Sequence, residues 1–299
     1  MMSMKRLIKI MMVAAAALLA VSCYEDFLKD YEFSAVYFAS QKPMRTIIAG
    51  GDPTIEVGVA ISGKREVDPN DWATFEISLI DMVGSGLTLL PENYYTLSDP
   101  TTMKVKKSNL PLAVVKLTLT DDFFADPLST TKYYGLPFHI TGASTDSVLT
   151  DKSTTVVAIK YASSWSGTYC VKGSISELDG TGAPVSTVEY GDTELSSTFT
   201  RATATLSKDI VVVGGVGNTF PAAAGDMIVL TFGADGALTV DSAPGGIVLS
   251  EASGSYAMNG DRLQVNLSYK FTKGTKDYAV TETLLRRQDP AKDLYFEEW

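Results

Sequence analysis

Short runs in which apolar and polar side chains alternate recur along almost the whole chain. The clearest is RLQVNLSYKF (262–271), in which every second residue from Leu263 to Phe271 is apolar. Successive side chains of a strand point to opposite faces of a sheet, so this period of two predicts strands with one buried face. Because no helical period interrupts the runs of the first half, the chain is predicted to be all-β.

Seven such runs in the first half predict an antiparallel sandwich. Turn signals separate them, among them GGDP, VGSG, LPEN and LSDP. Short strands at this spacing are typical of sandwiches. The predicted strands are 34–38, 54–61, 74–79, 102–106, 114–119, 133–140 and 154–161.

The second half begins after the small, polar stretch YASSWSG (161–167), which is the predicted domain boundary. One hairpin is expected to turn at Asp235-Gly236, a dipeptide that tight turns favour. The polar stretch 177–197 is predicted to be a loop. The predicted strands are 167–176, 198–206, 209–213, the two arms of 227–240, 253–258, 262–271 and 278–286.

A meander of about eight antiparallel strands best removes its exposed edges by closing on itself. An antiparallel, small lipocalin-like barrel is therefore favoured over a second sandwich. The spacing of Trp165, Gly167 and Tyr169 is typical of the opening of such a barrel, with the tryptophan plugging its base.

The first residues have the form of an export signal. Lys5, Arg6 and Lys9 precede an uncharged run at 10–21. That run is shorter than the ~20 apolar residues that span a bilayer, and it fits the apolar part of a signal peptide. Small residues lead directly to Cys23, as in a bacterial lipobox. We predict a signal peptide at 1–22 and a lipidated tether at 23–32; the alternative is an ordinary signal with a chance cysteine.

The chain contains two cysteines, Cys23 and Cys170. Lipidation of Cys23 would leave Cys170 without a partner, so an intramolecular disulfide is not expected. Cys170 lies in a strand-like stretch, where a free cysteine usually acts as a small buried apolar residue.

The charge excludes some classes of partner. The chain has 25 basic and 35 acidic residues, and loss of the three basic residues in the leader lowers the formal net charge from −10 to −13. Nucleic-acid binding needs a basic surface, so no nucleic-acid partner is expected. Membrane attachment is expected through the lipid anchor only.

No catalytic set of residues is recognisable, and the chain is predicted not to be an enzyme. Its single histidine, His139, lies inside a predicted strand, which favours a structural role over that of a catalytic base. Zinc bound by His and Cys ligands is excluded by the residue counts, and neither a metal nor a cofactor is expected. A carboxylate pair for glycoside hydrolysis stays open, because the required separation is three-dimensional.

Two aromatic residues in predicted turns are candidates for carbohydrate binding. Trp72 is flanked by Asp71, and Tyr190 lies near Asp192. Sugars present flat C–H faces on which aromatic rings stack, while neighbouring carboxylates accept hydrogen bonds from the hydroxyls. The alternative for each aromatic residue is a ring packed over the base of a loop.

Several stretches together resemble a known family: VAISGKREVD, LPENYYTLSDPTTMKVKKS, FADPLSTTKYYGLPFHITGAS and ETLLRRQDPAKDLYFEEW. They are similar to Bacteroidetes lipoproteins that pair a DUF1735-type N-terminal domain, also found in some family-18 endoglycosidases, with a DUF4361-type C-terminal domain. The resemblance implies an immunoglobulin-like sandwich at 33–162 and a second domain at 163–299. It also implies an accessory glycan-binding protein of a polysaccharide-utilisation locus. The catalytic barrel of the endoglycosidases is missing here.

These observations predict a non-catalytic lipoprotein of the outer membrane that binds a poly- or oligosaccharide. Glu25 and Asp26 resemble a surface-export signal, so the protein is expected to face the cell exterior; the alternative is the periplasmic face. The resemblance implies SusC/SusD-like transporters or glycosidases as partners. The alternative functions are a structural or adhesive surface protein and a glycoside hydrolase.

The lipid attachment can be tested directly. We expect the wild-type protein to incorporate labelled palmitate in cells and Cys23→Ser to lose the label, because the acylated thiol is gone. Gel fluorography of the immunoprecipitated protein measures this. Labelling that persists in Cys23→Ser would contradict the anchor.

Overall fold

The computed structural model of the protein describes residues 33–64, 66, 68–107, 110–218 and 226–299. The predicted signal peptide (1–22), the tether (23–32) and Cys23 lie outside the described residues. Within the described ranges the fold is all-β, a sandwich followed by a barrel, which confirms the predicted fold class.

The first domain is built from short strands joined by tight turns. Its strands are β1 (Ala35–Tyr37), β2 (Pro43–Ile48), β3 (Thr54–Ser62), β4 (Trp72–Glu76), β5 (Thr88–Leu89), β6 (Tyr95–Leu97), β7 (Thr102–Val105), β8 (Leu112–Leu119), β9 (Tyr134–Ala143), β10 (Ser147–Val148) and β11 (Thr154–Ala162). The helical segments are α1 (Asp121–Ala125) and the 3-10 turns Leu79–Met82, Glu92–Tyr94, Pro127–Thr130 and Thr150–Lys152. In the described part of the chain, no helix has the length and apolar character needed to cross a membrane.

The pairing of these strands is that of an immunoglobulin-like sandwich. One layer has the order β1-β3-β8-β7 and the other the order β4-β9-β11, which correspond to the ABED and CFG layers of that fold. Strand β2 runs parallel to β11 at the edge of the second layer, and β7 also pairs with β4.

Alternate residues of the two layers form the core of the sandwich. In β3, for example, Ile55, Val57, Val59 and Ile61 are buried, while the residues between them are more exposed. Each fully buried side chain of this kind stabilises the fold by about 1.5–3 kcal/mol. The period of two that predicted the strands is therefore also the feature that packs the layers together.

The second domain contains longer strands in meander order. They are β12 (Thr168–Leu178), β13 (Pro184–Gly191), β14 (Thr200–Ser207), β15 (Ile210–Gly214), β16 (Met227–Phe232), β17 (Ala237–Ser242), β18 (Leu249–Asn259), β19 (Arg262–Lys273) and β20 (Lys276–Arg286). The 3-10 turns Ala234–Gly236 and Pro290–Lys292 and the last strand, β21 (Glu297–Glu298), complete the described part of the chain.

Closure of the meander makes a barrel. Strands β14 to β20 pair antiparallel in sequence order, and β14 also pairs with the start of β12. The other edge of β12 pairs with β20 from Tyr169↔Arg286 to Leu178↔Asp277. The predicted antiparallel barrel is therefore confirmed.

Strand β13 corrects the prediction that 177–197 is a loop. It pairs with the second half of β12 and forms a hairpin with it. All side chains from Pro184 to Glu189 are exposed, so this segment has no buried alternate face from which a strand could be recognised. The strand ends at Gly191, whose φ of +74° brings its Cα close to the carbonyl oxygen of Val171; a Cβ there would lie 1.9 Å from that oxygen.

One end of the barrel is plugged as predicted. The Trp165 ring stacks on Phe232 with 4.6 Å between ring centroids, and it meets the edge of Tyr256 at 5.0 Å. The Tyr169 hydroxyl donates a hydrogen bond to the carbonyl oxygen of Trp165 and so fixes the plug to β12.

A polar network lies inside the barrel. Arg201 and Glu282 are 1 % and 0 % exposed, and Arg201 Nη1 donates to Glu282 Oε1 over 2.8 Å. The hydroxyls of Tyr190 and Tyr269 donate to the same carboxylate at 2.7 and 3.0 Å. Burial alone would lower the pKa of Arg201, but the charge of Glu282, the hydrogen bond to it and the neighbouring Tyr190 and Tyr269 together outweigh burial and raise the pKa. The network therefore holds a full ion pair away from water.

The C-terminal tail returns to the first domain. Strand β21 pairs antiparallel with β2, with Met44 opposite Glu297. The Trp299 backbone N–H donates to the carbonyl oxygen of Lys42 at 3.0 Å, and its indole N–H donates to that of Val156 at 2.8 Å. The end of the segment predicted as the second domain (163–299) thus packs on the sandwich.

The buried ion pair makes a stability prediction. Arg201→Met or Glu282→Gln should each lower the free energy of unfolding by about 3–5 kcal/mol, because each leaves one buried charge without its partner. The double variant should lose less than the sum of the two. Urea unfolding can be followed by Trp165 fluorescence in a background where Trp72 and Trp299 are phenylalanine.

An exposed ion pair of the same barrel serves as the control. Lys270 and Glu251 approach to 2.5 Å but are 37 % and 68 % exposed. Lys270→Met should therefore change the free energy of unfolding by less than about 1 kcal/mol. Single variants of the buried pair that cost no more than this control would contradict the importance of the network.

Candidate functional site

The structure places Trp72 at the surface of the first domain. It is the first residue of β4 and 39 % exposed. Its backbone N–H donates to the Ser144 hydroxyl at 3.0 Å, which fixes the start of the strand. Trp72 therefore lies at the boundary between turn and strand, with its ring partly accessible.

Asp71, the predicted sugar-binding partner of Trp72, is a buried residue with partners inside the protein. It is 5 % exposed and accepts hydrogen bonds from Lys64 Nζ at 2.8 Å, the Ser144 hydroxyl at 2.7 Å and the Asp68 N–H at 3.0 Å. Burial opposes ionisation, but the hydrogen bonds from Lys64 and Ser144 outweigh it and lower the pKa of Asp71. Its carboxylate therefore links the segments that carry Lys64 and Ser144 to the start of β4.

Tyr190 corrects the second expectation. It lies in strand β13, not in a loop, and its ring is 9 % exposed because it points into the barrel toward Glu282. Asp192 follows the strand and is exposed, and its Oδ1 accepts from the Glu194 N–H at 3.1 Å. The two predicted pairs lie in different domains, so the structure does not bring Trp72 and Tyr190 into one site.

A cleft of about 630 Å³ lies beside the exit of the chain from the barrel. Its lining combines polar and apolar side chains from three segments: the start of β12, the loop between β13 and β14, and the C-terminal tail. The lining residues are Thr168, Leu195, Arg287, Gln288, Asp293 and Tyr295.

The pairing of β12 with β20 positions one wall of this cleft. The ladder continues one residue beyond β20, where the Arg287 N–H donates to the carbonyl oxygen of Thr168 at 2.9 Å. The Arg287 guanidinium reaches across to the carbonyl oxygen of Leu195 at 3.3 Å. The cationic side chain is therefore held between the tail and the loop.

A capped turn positions the other wall. Asp289 precedes the turn Pro290–Lys292 and accepts from the Ala291 N–H at 2.8 Å, while Pro290 is buried. The turn folds the chain back, so that the Gln288 amide donates to the Asp293 carboxylate. The Gln288 amide and the Asp293 carboxylate are therefore adjacent in the lining of the cleft.

Tyr295 presents an accessible ring at the cleft. It is 76 % exposed, and the segments on both sides of it are anchored. Before it lies the capped turn; after it the Phe296 ring packs under the guanidinium of Arg45 at 5.5 Å, and β21 pairs with β2. Burial of that guanidinium lowers the pKa of Arg45. The anchors on both sides fix the backbone that carries Tyr295.

The arrangement suits a ligand with a flat apolar face and several hydroxyl groups. An aromatic ring can cover the apolar face, and the guanidinium, amide and carboxylate groups supply both donors and acceptors. Sequence reasoning missed this site. A run of large apolar residues, Leu294-Tyr295-Phe296, between charged residues was the available signal, since all three side chains are exposed.

The remaining candidates from the sequence have structural surroundings. His139 lies in β9, and its Nδ1 is 3.0 Å from the Thr154 hydroxyl. Cys170 is buried and is a free thiol. Among the described residues, no group of three or more His, Cys, Asp or Glu side chains is placed to hold a metal ion.

Comparisons with known proteins support the fold. A family model described as a "-like, N-terminal domain" matches residues 30–147, which is less than half of the chain. No curated protein matches. A solved structure of a Bacteroides ovatus protein of unknown function is 22 % identical, with a TM-score of 0.70, and the match covers 90 % of this chain and 98 % of that one.

Two further solved structures are more distant. A multidomain protein including DUF1735 from Bacteroides ovatus is 12 % identical, with a TM-score of 0.43, and the match covers 90 % of this chain and 100 % of that one. An auxiliary nutrient binding protein from Bacteroides thetaiotaomicron VPI-5482 is 15 % identical, with a TM-score of 0.43, covering 86 % and 95 %. Both TM-scores are below 0.5, so of these three structures only the Bacteroides ovatus protein of unknown function supports the fold.

The contacts of Asp71 predict its contribution to stability. Asp71→Asn should lower the free energy of unfolding by about 1–3 kcal/mol at neutral pH, because Lys64 loses its charged acceptor. The pKa of Asp71 is lowered in the folded protein, so its contribution is present above the unfolded-state value and is lost as the pH falls through the folded value. Urea unfolding at pH 7 and pH 3 should show the difference between variant and wild type shrinking in acid.

Asp192→Asn is the matched control for this prediction. Asp192 is exposed, and an asparagine oxygen can still accept from the Glu194 N–H. Its effect should stay within about 0.5 kcal/mol at both pH values. Equal effects of the two substitutions would show that the buried contacts of Asp71 contribute nothing.

Proposed function

We propose that the protein is a non-catalytic, lipid-anchored glycan-binding protein on the exterior face of the outer membrane, and that it captures a poly- or oligosaccharide in the cleft beside the barrel. The observation that carries the proposal is the exposed Tyr295 ring next to Arg287, Gln288 and Asp293. Stacking on a sugar ring and hydrogen bonding to its hydroxyls require this combination of groups.

The fixed backbone of the cleft supports a binding role. Both the turn before Tyr295 and the strand after it are anchored, so little freedom of the chain would be lost when a ligand binds. The cleft is also large enough for more than one sugar unit, since about 630 Å³ lies within the range of small-molecule sites. The proposed attachment to the membrane rests on the lipobox at Cys23, and the proposed exposure to the cell exterior rests on the acids that follow it.

In this proposal the protein holds glycan near the components that import or cleave it. The resemblance to proteins of polysaccharide-utilisation loci supports a SusC/SusD-like transporter or a glycosidase as a neighbour. The proposal that the protein itself is not a catalyst rests on the sequence, in which no histidine-based catalytic set is recognisable.

The surface of the sandwich favours a second candidate function, adhesion to a protein partner. Leu79, Ile80 and Val83 are 63 %, 76 % and 79 % exposed in and beside one 3-10 turn. Contiguous exposed apolar side chains are a mark of protein–protein interaction sites. In this case the protein would capture a partner and bind no glycan.

Tyr295→Ala tests the proposed site. We expect it to weaken glycan binding at least tenfold, about 1.4 kcal/mol, because the stacking surface is removed. Native gels containing dietary and host polysaccharides would identify a ligand, and calorimetry would measure the affinity. Tyr295→Phe should retain the affinity, since it keeps the ring.

Trp72→Ala is the matched comparison, because it removes an exposed aromatic ring from the other domain. Wild-type affinity in Trp72→Ala together with loss in Tyr295→Ala would support the cleft. The reverse result would place the glycan at Trp72 and refute the cleft. If the wild-type protein binds no polysaccharide of the panel, the glycan-binding function fails and adhesion becomes the better hypothesis.

A further inference from the structure

A second cavity lies at the end of the barrel opposite Trp165. It has a volume of about 290 Å³, and its lining combines apolar side chains from β12, β19 and β20 with polar ones such as that of Asn218. Ile175 and Phe271 are buried there, and the rings of Phe271 and Tyr278 stack with 5.2 Å between centroids. Eight-stranded barrels of this size either fill their interior or hold one small ligand.

Strand β13 makes this end of the barrel accessible. Ser186 and Val188 line the cavity, and they share the inward face of the strand with Tyr190. Val188 is nevertheless 51 % exposed, because in the described part of the chain β13 pairs with β12 alone. An inward-facing apolar side chain that remains half exposed marks an open cavity.

The floor of the cavity is held rigidly. Tyr190, two residues beyond Val188 on the same face, is fixed to Glu282 by its hydroxyl. The Gly217 N–H donates to the Tyr269 hydroxyl at 2.9 Å, and Gly217 has a φ of +53°. A Cβ at Gly217 would lie 2.8 Å from Ile175 Cδ1, so the backbone approaches this wall as closely as it can. The site is therefore formed before a ligand binds, which lowers the cost of binding.

The rim carries charges that are already paired. Lys276 Nζ contacts Glu177 at 2.8 Å, and Lys273 Nζ contacts Asp226 at 2.8 Å. The two cations and two anions balance, so these pairs leave no local excess of either sign. A charged ligand would have to break one of these pairs, whereas an uncharged ligand would leave both intact.

We propose that this cavity binds a small, uncharged aromatic or alicyclic molecule. Its stacked aromatic wall and aliphatic residues match a flat apolar ring, and its volume corresponds to about ten water molecules, which is the size of a molecule with one or two rings. The site is separate from the glycan cleft and does not depend on glycan binding.

The neutral two-ring dye 6-propionyl-2-(dimethylamino)naphthalene is a suitable probe, since its emission rises and shifts to shorter wavelength in an apolar site. The wild-type protein should show saturable enhancement. Val188→Arg should weaken dye binding at least tenfold by placing a long charged side chain in the cavity. Thr187→Arg is the matched control, because Thr187 lies between Ser186 and Val188 on the opposite face of the same strand and is exposed.

A second pair of variants keeps the test decisive if arginine disturbs folding. Ser186→Trp should fill the cavity and block the dye, whereas Thr187→Trp points outward and should not. Thermal unfolding would verify that all four variants fold. Absence of saturable enhancement in the wild type, or equal binding by inward and outward variants, would overturn the site and leave the proposed glycan cleft untouched.

Discussion

The pairing of β12 with β20 is the constraint on which the rest of the structure depends. It runs from Tyr169↔Arg286 to Leu178↔Asp277 and closes the barrel by joining its first strand to its last. Closure brings the exit of the chain next to its entry, so Arg287 continues the ladder opposite Thr168. The start of β12 adjoins the sandwich, so the tail that leaves β20 there can reach β2 within a few residues. Tyr295 lies on this connecting segment. One ladder thus determines both the second domain and the position of the cleft.

The barrel accommodates an ion pair at a place where apolar packing would suffice. Arg201 and Glu282 satisfy each other, and two tyrosines bring neighbouring strands to the same carboxylate. Gly173 lies opposite Glu282 in the ladder, and a Cβ there would come within 2.7 Å of the Glu282 Cβ. The Glu282 side chain therefore fits only because residue 173 is a glycine. The hydrogen bonds of the network link β13, β14, β19 and β20 to one another. Removal of one partner of such a pair is costly, although the intact pair need add little net stability over apolar packing.

The sequence predicted the strands that bury a face and missed those that do not. Each of the seven strands predicted for the sandwich corresponds to a strand of the structure, since alternation reports burial directly. Strand β2 has one buried residue, Pro43, and β13 has exposed side chains up to Tyr190, so neither has a pattern that one could recognise. The run Leu294-Tyr295-Phe296 signalled one wall of the cleft, but the whole cleft could not be predicted, because it joins Leu195 to Arg287 across 92 residues of chain. Local patterns contain no information on such a contact.

The return of the tail to β2 also fixes an order of assembly. A chain is made from its N-terminus, and domains usually fold in that order as they emerge. Here β2 pairs with β11 on one side and with β21 on the other, so one edge of the sandwich stays open until β21 has been made. Unpaired strand edges are where chains associate wrongly. The barrel strands precede β21 in the chain, so the domain that is synthesised first is the last to be completed.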